Sequence, residues 1–350
     1  MKITFFIGSM GRGGAERVIS ILANHYAKMG WDVDIALLLD QEVGYELHDN
    51  VNIINLNAGP GSYIKNLPSW LTKVRKYIKT AKPERIVSFV GRINMLVLTA
   101  ALGLKAPIVV SERNDPKHDG RGKLIQTYCN LIYHNAAAVV YQTKYEQSCF
   151  SSSLKNGYII PNPVSVHVTK SLGQNTEIVT AGRLLPQKNQ KMLISAFAQV
   201  HKNHPEMTLK IFGSGNLKDE LQEQIEILGL QKCAFLCGNI LDLHNHLSGA
   251  KMFVMTSEFE GLSNALIEAM MLGLPCITTD YPGADELIFH GENGLMVPCR
   301  DTEALAKAME RIIEDPIFSE NLSRSAMKNS ENYYEDIVLR MWDEIIIGKS

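Results

Sequence analysis

Short apolar runs alternate with longer amphipathic segments from one end of this chain to the other, and that alternation constrains its fold more than any other feature. Residues 3–7, 33–39, 51–56, 85–89 and 108–111 have the length and apolar content of buried strands, and 136–141 and 157–160 extend the series. Segments such as 16–29 and 94–102 lie between them with apolar residues at helical spacing. Strands that are apolar throughout, separated by helices, predict a parallel sheet covered on both faces. The pattern stops at Pro161-Asn162-Pro163, where a polar stretch from Ser165 to Thr176 reads as a linker, and then restarts. Residues 177–181, 208–212, 233–236, 251–256 and 276–279 read as strands; 189–202, 217–228, 264–272 and 302–314 read as helices. The fold class expected is therefore α/β, with two doubly wound Rossmann-like units in tandem. The units span 1–163 and 177–330, joined by 164–176, and a closing helical stretch within 331–350 is expected to pack back on the first.

A chain of 350 residues, 45% of them apolar, is long enough for two such cores. The formal net charge of -2 provides no overall basic surface, so no nucleic-acid partner is expected. Six cysteines stand without a C-x-x-C or zinc-type spacing and read as reduced thiols. The apolar run at 3–7 is too short for a signal-peptide core, and no run reaches membrane-spanning length, so a cytoplasmic location is expected, with contact to a membrane surface left open.

In open α/β sheets, ligands bind at the carboxyl ends of the strands, so the loops there carry the candidate chemistry. After the first strand comes Gly11-Arg12-Gly13-Gly14-Ala15-Glu16, opening a helix. Glycines let a backbone approach an anion closely, and a helix start offers free N–H groups; the same sequence also serves as a tight turn. After the first strand of the second unit, Gly182-Arg183-Leu184-Leu185-Pro186-Gln187-Lys188-Asn189 sets two cations before a helix. An arginine fork and a lysine point charge suit a diphosphate, though two exposed cations in a solvated loop would read the same. A later strand runs into Ser257-Glu258-Phe259-Glu260-Gly261-Leu262-Ser263-Asn264, with Glu268 one turn into the helix. Carboxylates accept paired hydrogen bonds from sugar hydroxyls, and the helix start at Ser263, Asn264 and Ala265 can receive phosphate. The plain alternative is a loop acid and a helix-face acid.

The ordered set of motifs resembles glycosyltransferase family 4. It comprises Glu260 and Glu268 in E-x7-E, G-R-L-x3-K-N at 182–189, P-N-P-V at 161–164 and G-x-G-G-A-E at 11–16. The resemblance extends over essentially the whole chain and is closest to bacterial enzymes that extend lipid-linked saccharides for O-antigen, capsule or protein glycosylation. It implies a GT-B fold, with two facing domains and a deep cleft between them, and retention of anomeric configuration. The donor would be a nucleotide diphosphate sugar, with UDP favoured. Arg183 and Lys188 would neutralise the donor diphosphate without a metal or other cofactor. Glu260 would hold the transferred sugar and Glu268 the ribose, with Gly182, Gly261, Leu262, Ser263, Asn264 and Ala265 lining the donor site. Gly13 and Gly14 would lie at the donor phosphate or the acceptor. Many members carry a histidine in the loop after a late strand of the first domain; here Arg113 stands in its place, and Arg113 and Glu112 become candidates for the polar group near the anomeric centre.

On the acceptor side, Arg12 and Glu16 are candidates. So is the segment from Leu67 to Lys82, where apolar residues at helical spacing interleave with Lys73, Arg75, Lys76 and Lys79. That segment is either a helix with a wet basic face or a surface for anionic lipid and a polyprenyl-diphosphate acceptor on the inner leaflet. Asp32 and Asp34 form a D-x-D that reads as two solvated acids at a strand edge, and His244 and His246 lack metal-ligand spacing. Three rivals remain: an NAD- or flavin-dependent oxidoreductase using the Gly11–Gly14 loop and Asp40, a sugar-nucleotide epimerase, and a non-catalytic sugar binder.

Overall fold

The structure is a computed structural model that describes the chain apart from Arg12, Gln41, Ala58, Pro60, Gly61, Ser62, Lys349 and Ser350 and the side chains of Tyr63 and Ile64. It divides into two units, Met1–Pro163 together with Glu335–Ser350, and Val164–Tyr334.

The first unit runs β1 (Lys2–Ile7), α1 (Gly14–Lys28), β2 (Asp32–Leu37), β3 (Val51–Asn55), α2 (Tyr63–Ala81), β4 (Arg85–Phe89), α3 (Gly91–Ala101), β5 (Ile108–Ser111), α4 (Lys123–Ile132), β6 (Ala138–Tyr141), α5 (Lys144–Ser148) and β7 (Gly157–Ile159). Its seven strands are parallel in the order β3-β2-β1-β4-β5-β6-β7. Side chains alternate across the sheet, as the two-residue period of a strand requires. Ile3, Phe5 and Ile7 join one core with Val18 and Leu22, whereas Phe6 joins the opposite core with Trp70 and Val74.

The second unit runs β8 (Glu177–Ala181), α6 (Gln190–Asn203), β9 (Thr208–Phe212), α7 (Lys218–Ile227), β10 (Ala234–Gly238), α8 (Leu243–Leu247), β11 (Met252–Met255), α9 (Asn264–Met271), β12 (Cys276–Thr279), β13 (Leu295–Val297), α10 (Thr302–Glu314) and α11 (Pro316–Ser330). Its six parallel strands are ordered β10-β9-β8-β11-β12-β13. The last helix, α12 (Glu335–Ile346), belongs to the first unit. There Trp342 is fully buried and stacks on Phe89 with ring centroids 5.9 Å apart, and the Tyr26 hydroxyl donates to Asp343 at 3.0 Å.

Each sheet reverses its strand order once, at β1/β4 in the first and β8/β11 in the second. At such a point the loops leave on opposite faces and open a crevice at the carboxyl ends. The loops after β1 and β4, and after β8 and β11, are therefore the places that the topology reserves for ligands.

Three readings of local sequence change. The stretch after Pro163 is not a free linker: the Leu172 amide donates to the Asn245 carbonyl at 2.7 Å, Thr169 to the Asn245 side chain at 2.9 Å and Gly173 to the Ser248 carbonyl at 3.1 Å, pinning it beside α8. Asp34 is not solvated. It is 3% exposed, and Lys2 Nζ at 2.9 Å, Asn52 Nδ2 at 3.0 Å and the Tyr77 hydroxyl all bond to it. Burial alone would raise its pKa, but the hydrogen bonds from Tyr77, Lys2 and Asn52 outweigh that and hold it below the ordinary value. Finally, α4, β13 and α11 are elements additional to those read from the sequence.

Candidate active site

In the second unit the loop after β8 is held by close backbone contact. Gly213, at the end of β9, has φ +132°, and a Cβ there would overlap the Gly182 carbonyl oxygen. Leu184 is 1% exposed and anchors the turn, while Arg183 beside it is exposed. Pro186–Lys188 forms a short 3-10 turn. Asn189 then takes the left-handed conformation and caps α6, its side chain accepting from the Met192 amide at 3.4 Å.

The loop after β11 is stitched to this one. The Thr256 hydroxyl donates to the carbonyls of Lys188 at 2.9 Å and Asn189 at 3.0 Å. Gln187 Nε2 donates to the Phe259 carbonyl at 2.6 Å, and the Glu258 amide donates to the Gln187 carbonyl at 2.8 Å. This brings Lys188 Nζ into an ion pair with Glu260 Oε1, both side chains half-buried. Ser263, 5% exposed, caps α9 by accepting from the Leu266 amide at 3.4 Å. Gly261, Leu262, Asn264 and Ala265 form the entry to that helix, and Glu268 lies one turn in, 5% exposed. The buried hydroxyl of Tyr281 has no hydrogen-bond partner among the described residues. Its pKa is pushed well above the ordinary phenol value by burial and by the nearby charge of Glu260.

One partner of this set is hidden in the sequence. His244 Nε2, on α8, is 3.5 Å from Glu268 Oε2, and its Nδ1 accepts from the His167 amide at 3.2 Å. Nothing in the spacing of the two residues marks the contact.

In the first unit a cavity of about 680 Å³ opens at the β1/β4 switch point, lined by Gly8, Glu16, Asn57, Asn66, Trp70 and Arg92 among others. Gly13 is the N-cap of α1, and its carbonyl accepts from the Tyr45 hydroxyl at 2.8 Å; Gly14 starts the helix. Arg12 lies outside the described residues. Val90, also on the cavity wall, has φ +74°, an outlier for a β-branched residue. It ends β4 in a sharp turn whose carbonyl accepts from Ile93 and Asn94 at 2.9 Å. Local strain of this kind concentrates at ligand sites.

Other candidates of the first unit are used internally. Glu112 is fully buried, paired with Arg121 Nη2 at 2.7 Å and accepting from the Tyr133 hydroxyl. Arg113 donates to Ser111 Oγ at 2.8 Å and Asn162 Oδ1 at 2.6 Å, and its guanidinium lies over the rings of Phe89 at 5.2 Å and Trp342 at 5.6 Å. Burial lowers its pKa to about 10, against the opposing charge of Glu146. Both side chains thus serve the interior of the domain. Of the α2 cations, Arg75 donates to the carbonyls of Ala100 at 2.7 Å and Leu102 at 2.8 Å, closing the end of α3, and Lys73 donates to the Asn57 carbonyl. Lys76 and Lys79 are exposed. Among the described residues no group of three or more His, Cys, Asp and Glu could hold a metal ion, and no helix is long and apolar enough to cross a membrane.

Two parallel Rossmann-like units in tandem, with a cation and carboxylates gathered at the second switch point, define a GT-B-type architecture. Comparison with known proteins agrees. Residues 167–329 match the family of glycosyl transferases group 1, and residues 13–152 match the glycosyl transferase 4-like domain. The chain is 28% identical over 356 residues to a Campylobacter jejuni protein, the GalNAc-alpha-(1->4)-GalNAc-alpha-(1->3)-diNAcBac-PP-undecaprenol alpha-1,4-N-acetyl-D-galactosaminyltransferase, covering 99% of this chain and 98% of that one. It is 25% identical to the amylovoran biosynthesis glycosyltransferase AmsD of Erwinia amylovora, covering 97% of each. Among solved structures, Anabaena HepE in complex with UDP superposes with a TM-score of 0.86 at 20% identity, over 100% of both chains. The chain belongs to the glycosyltransferases that pair these two domains, and it is a glycosyltransferase of the GT-B type.

Proposed function

We propose that this glycosyltransferase moves a hexose or N-acetylhexosamine, with retention, from a UDP-sugar to a polyprenyl-diphosphate-linked saccharide in bacterial glycan assembly. The observation that carries the reading is the pairing of Lys188 with Glu260 across the two loops of the second switch point. A cation and a sugar-binding carboxylate are held together where a nucleotide sugar would join diphosphate to hexose. Lys188 and the exposed Arg183 would stabilise charge that develops on the departing diphosphate. Such electrostatic stabilisation is the main acceleration a site of this kind can supply, so no metal is required. Glu260 would accept hydrogen bonds from the transferred sugar and Glu268 from the ribose, while the N-terminus of α9 would face phosphate. The acceptor hydroxyl would lose its proton to the leaving diphosphate as the new glycosidic bond forms on the same face. The cavity of the first unit, with Glu16, Asn57, Asn66 and Arg92 on its wall, would take the acceptor saccharide.

The lipid-linked acceptor is supported by the Campylobacter relative, whose own name specifies an undecaprenyl-diphosphate substrate. UDP is supported by its presence in the HepE structure. Such an acceptor sits in the inner leaflet, so the enzyme would work on the cytoplasmic face as a peripheral protein.

A donor screen tests the reading. UDP- and GDP-sugars are incubated with and without a polyprenyl-diphosphate-linked saccharide, and released nucleoside diphosphate is measured. Release of UDP that depends on the acceptor is the expected result. Conversion of the donor without acceptor would indicate an epimerase instead, and no turnover of any donor would overturn the proposal.

A further inference from the structure

The charge of this chain is unevenly distributed. Residues 63–163 hold fifteen lysines and arginines against five acids, a balance of +10, whereas the rest of the chain, with twenty against thirty-two, carries -12. Folding sharpens the contrast. Of those five acids, Glu112, Asp115 and Glu146 are buried, and Asp119 is paired with Arg121. Glu84 is exposed, but it accepts from the Lys2 amide at 3.1 Å, at the amino end of the sheet. The charged side chains that this part of the first unit shows to solvent are therefore almost all basic.

Within that basic region α4 turns its apolar residues outward. Leu124 is 89% exposed, Leu131 69%, Tyr128 41% and Ile125 40%. They recur at i, i+1, i+4 and i+7, one face of a helix. The buried side of the helix is formed by Cys129 and Ile132. No charged residue interrupts the face, and exposed Lys117 and Lys123 flank its start. A contiguous outward apolar face on a soluble domain marks an interaction site. The Tyr128 hydroxyl bonds to Thr99 Oγ1 at 2.6 Å, placing α4 against α3, and Arg75 bonds the other helix, α2, to the end of α3. The exposed Lys73, Lys76 and Lys79 of α2 thus belong to the same helical layer as the apolar face.

We infer that α4 is the helix by which this enzyme docks on an anionic lipid bilayer, its apolar face entering the headgroup region while the lysines of α2 and of the α4 start meet lipid phosphates. A basic amphipathic face binds this way because apolar burial and attraction to anionic lipid add. The sequence leaves α2 open as either a wet basic face or a membrane surface; in the structure α2 supplies charge, and the exposed apolar element is α4. A two-fold contact with a second copy of the chain would not suit the face, since it would set the +10 surroundings against their like.

The inference rests on the proposed lipid-linked acceptor but is tested apart from it. Wild type and a Leu124→Gln, Leu131→Gln variant are sedimented with phosphatidylglycerol-containing and phosphatidylcholine vesicles, without donor or acceptor. Transfer to a short-chain, water-soluble acceptor is measured separately. Both leucines are exposed, so the fold and the soluble reaction are expected to be unchanged. Wild type is expected to bind the anionic vesicles at least about tenfold more tightly than the neutral ones, and the variant to lose at least about tenfold of that binding. Equal vesicle binding by wild type and variant would overturn the inference, as would a wild-type dimer in solution that the variant abolishes with no vesicle binding by either. Failure of all transfer with vesicle binding as expected would instead refute the proposed reaction and leave the docking face standing.

Discussion

His244 Nε2 stands 3.5 Å from Glu268 Oε2, tying α8 to the acid proposed to hold the donor ribose. The contact is between two well-covered side chains, 18% and 6% exposed, so it fixes the direction of the carboxylate rather than decorating a surface. A His244→Ala variant is expected to raise the KM for the donor by roughly tenfold with kcat within about twofold, because ribose binding is the same in ground and transition states. Steady-state kinetics with varied donor check it; a fall in kcat at unchanged KM would place His244 in the chemistry instead.

Gly213 supports the loop that carries Arg183 and Lys188. Its φ of +132° and its approach to Gly182 leave no room for a side chain. Gly213→Ala is expected to destabilise the second unit by about 2–4 kcal/mol, measured by urea unfolding. Wild-type stability in that variant would show that the loop takes another path.

The first unit carries a buried acid with a pH signature. Glu146 is 1% exposed; burial pushes its carboxyl up to about 8, against the Gln142 amide that donates to it at 2.5 Å. The folded unit therefore keeps a proton that the unfolded chain gives up near the ordinary carboxyl value of 4.5. Stability from this group is full below that value and falls as pH rises through the window up to about 8. Thermal unfolding across this range should show a decline in wild type that is shallower in Glu146→Gln. Parallel profiles for the two proteins would refute the buried neutral acid.

How far the sequence could be read depended on whether the deciding contact was local. Buried strands of a parallel sheet are short, mainly apolar runs, so β1, β4, β8 and β11 are legible in the sequence, and with them the loops that carry Lys188 and Glu260. Direction was not visible. The apolar spacing of α4 could not be taken as inward packing because most of its large side chains face solvent. Asp34 looked like an edge acid until Lys2 in β1, Asn52 in β3 and Tyr77 in α2 were brought around it. Arg113 occupied a site position in the motif, yet Trp342, from the far end of the chain, covers it. His244 and Glu268 likewise meet only through the fold.

The central claim is that the cations of the loop after β8 drive departure of the diphosphate. Single-turnover transfer by an Arg183→Ala, Lys188→Ala double variant, alongside its circular dichroism, tests it most directly. Native spectra are predicted, with the rate reduced by at least about 100-fold. A folded double variant that transfers sugar at the wild-type rate would contradict it.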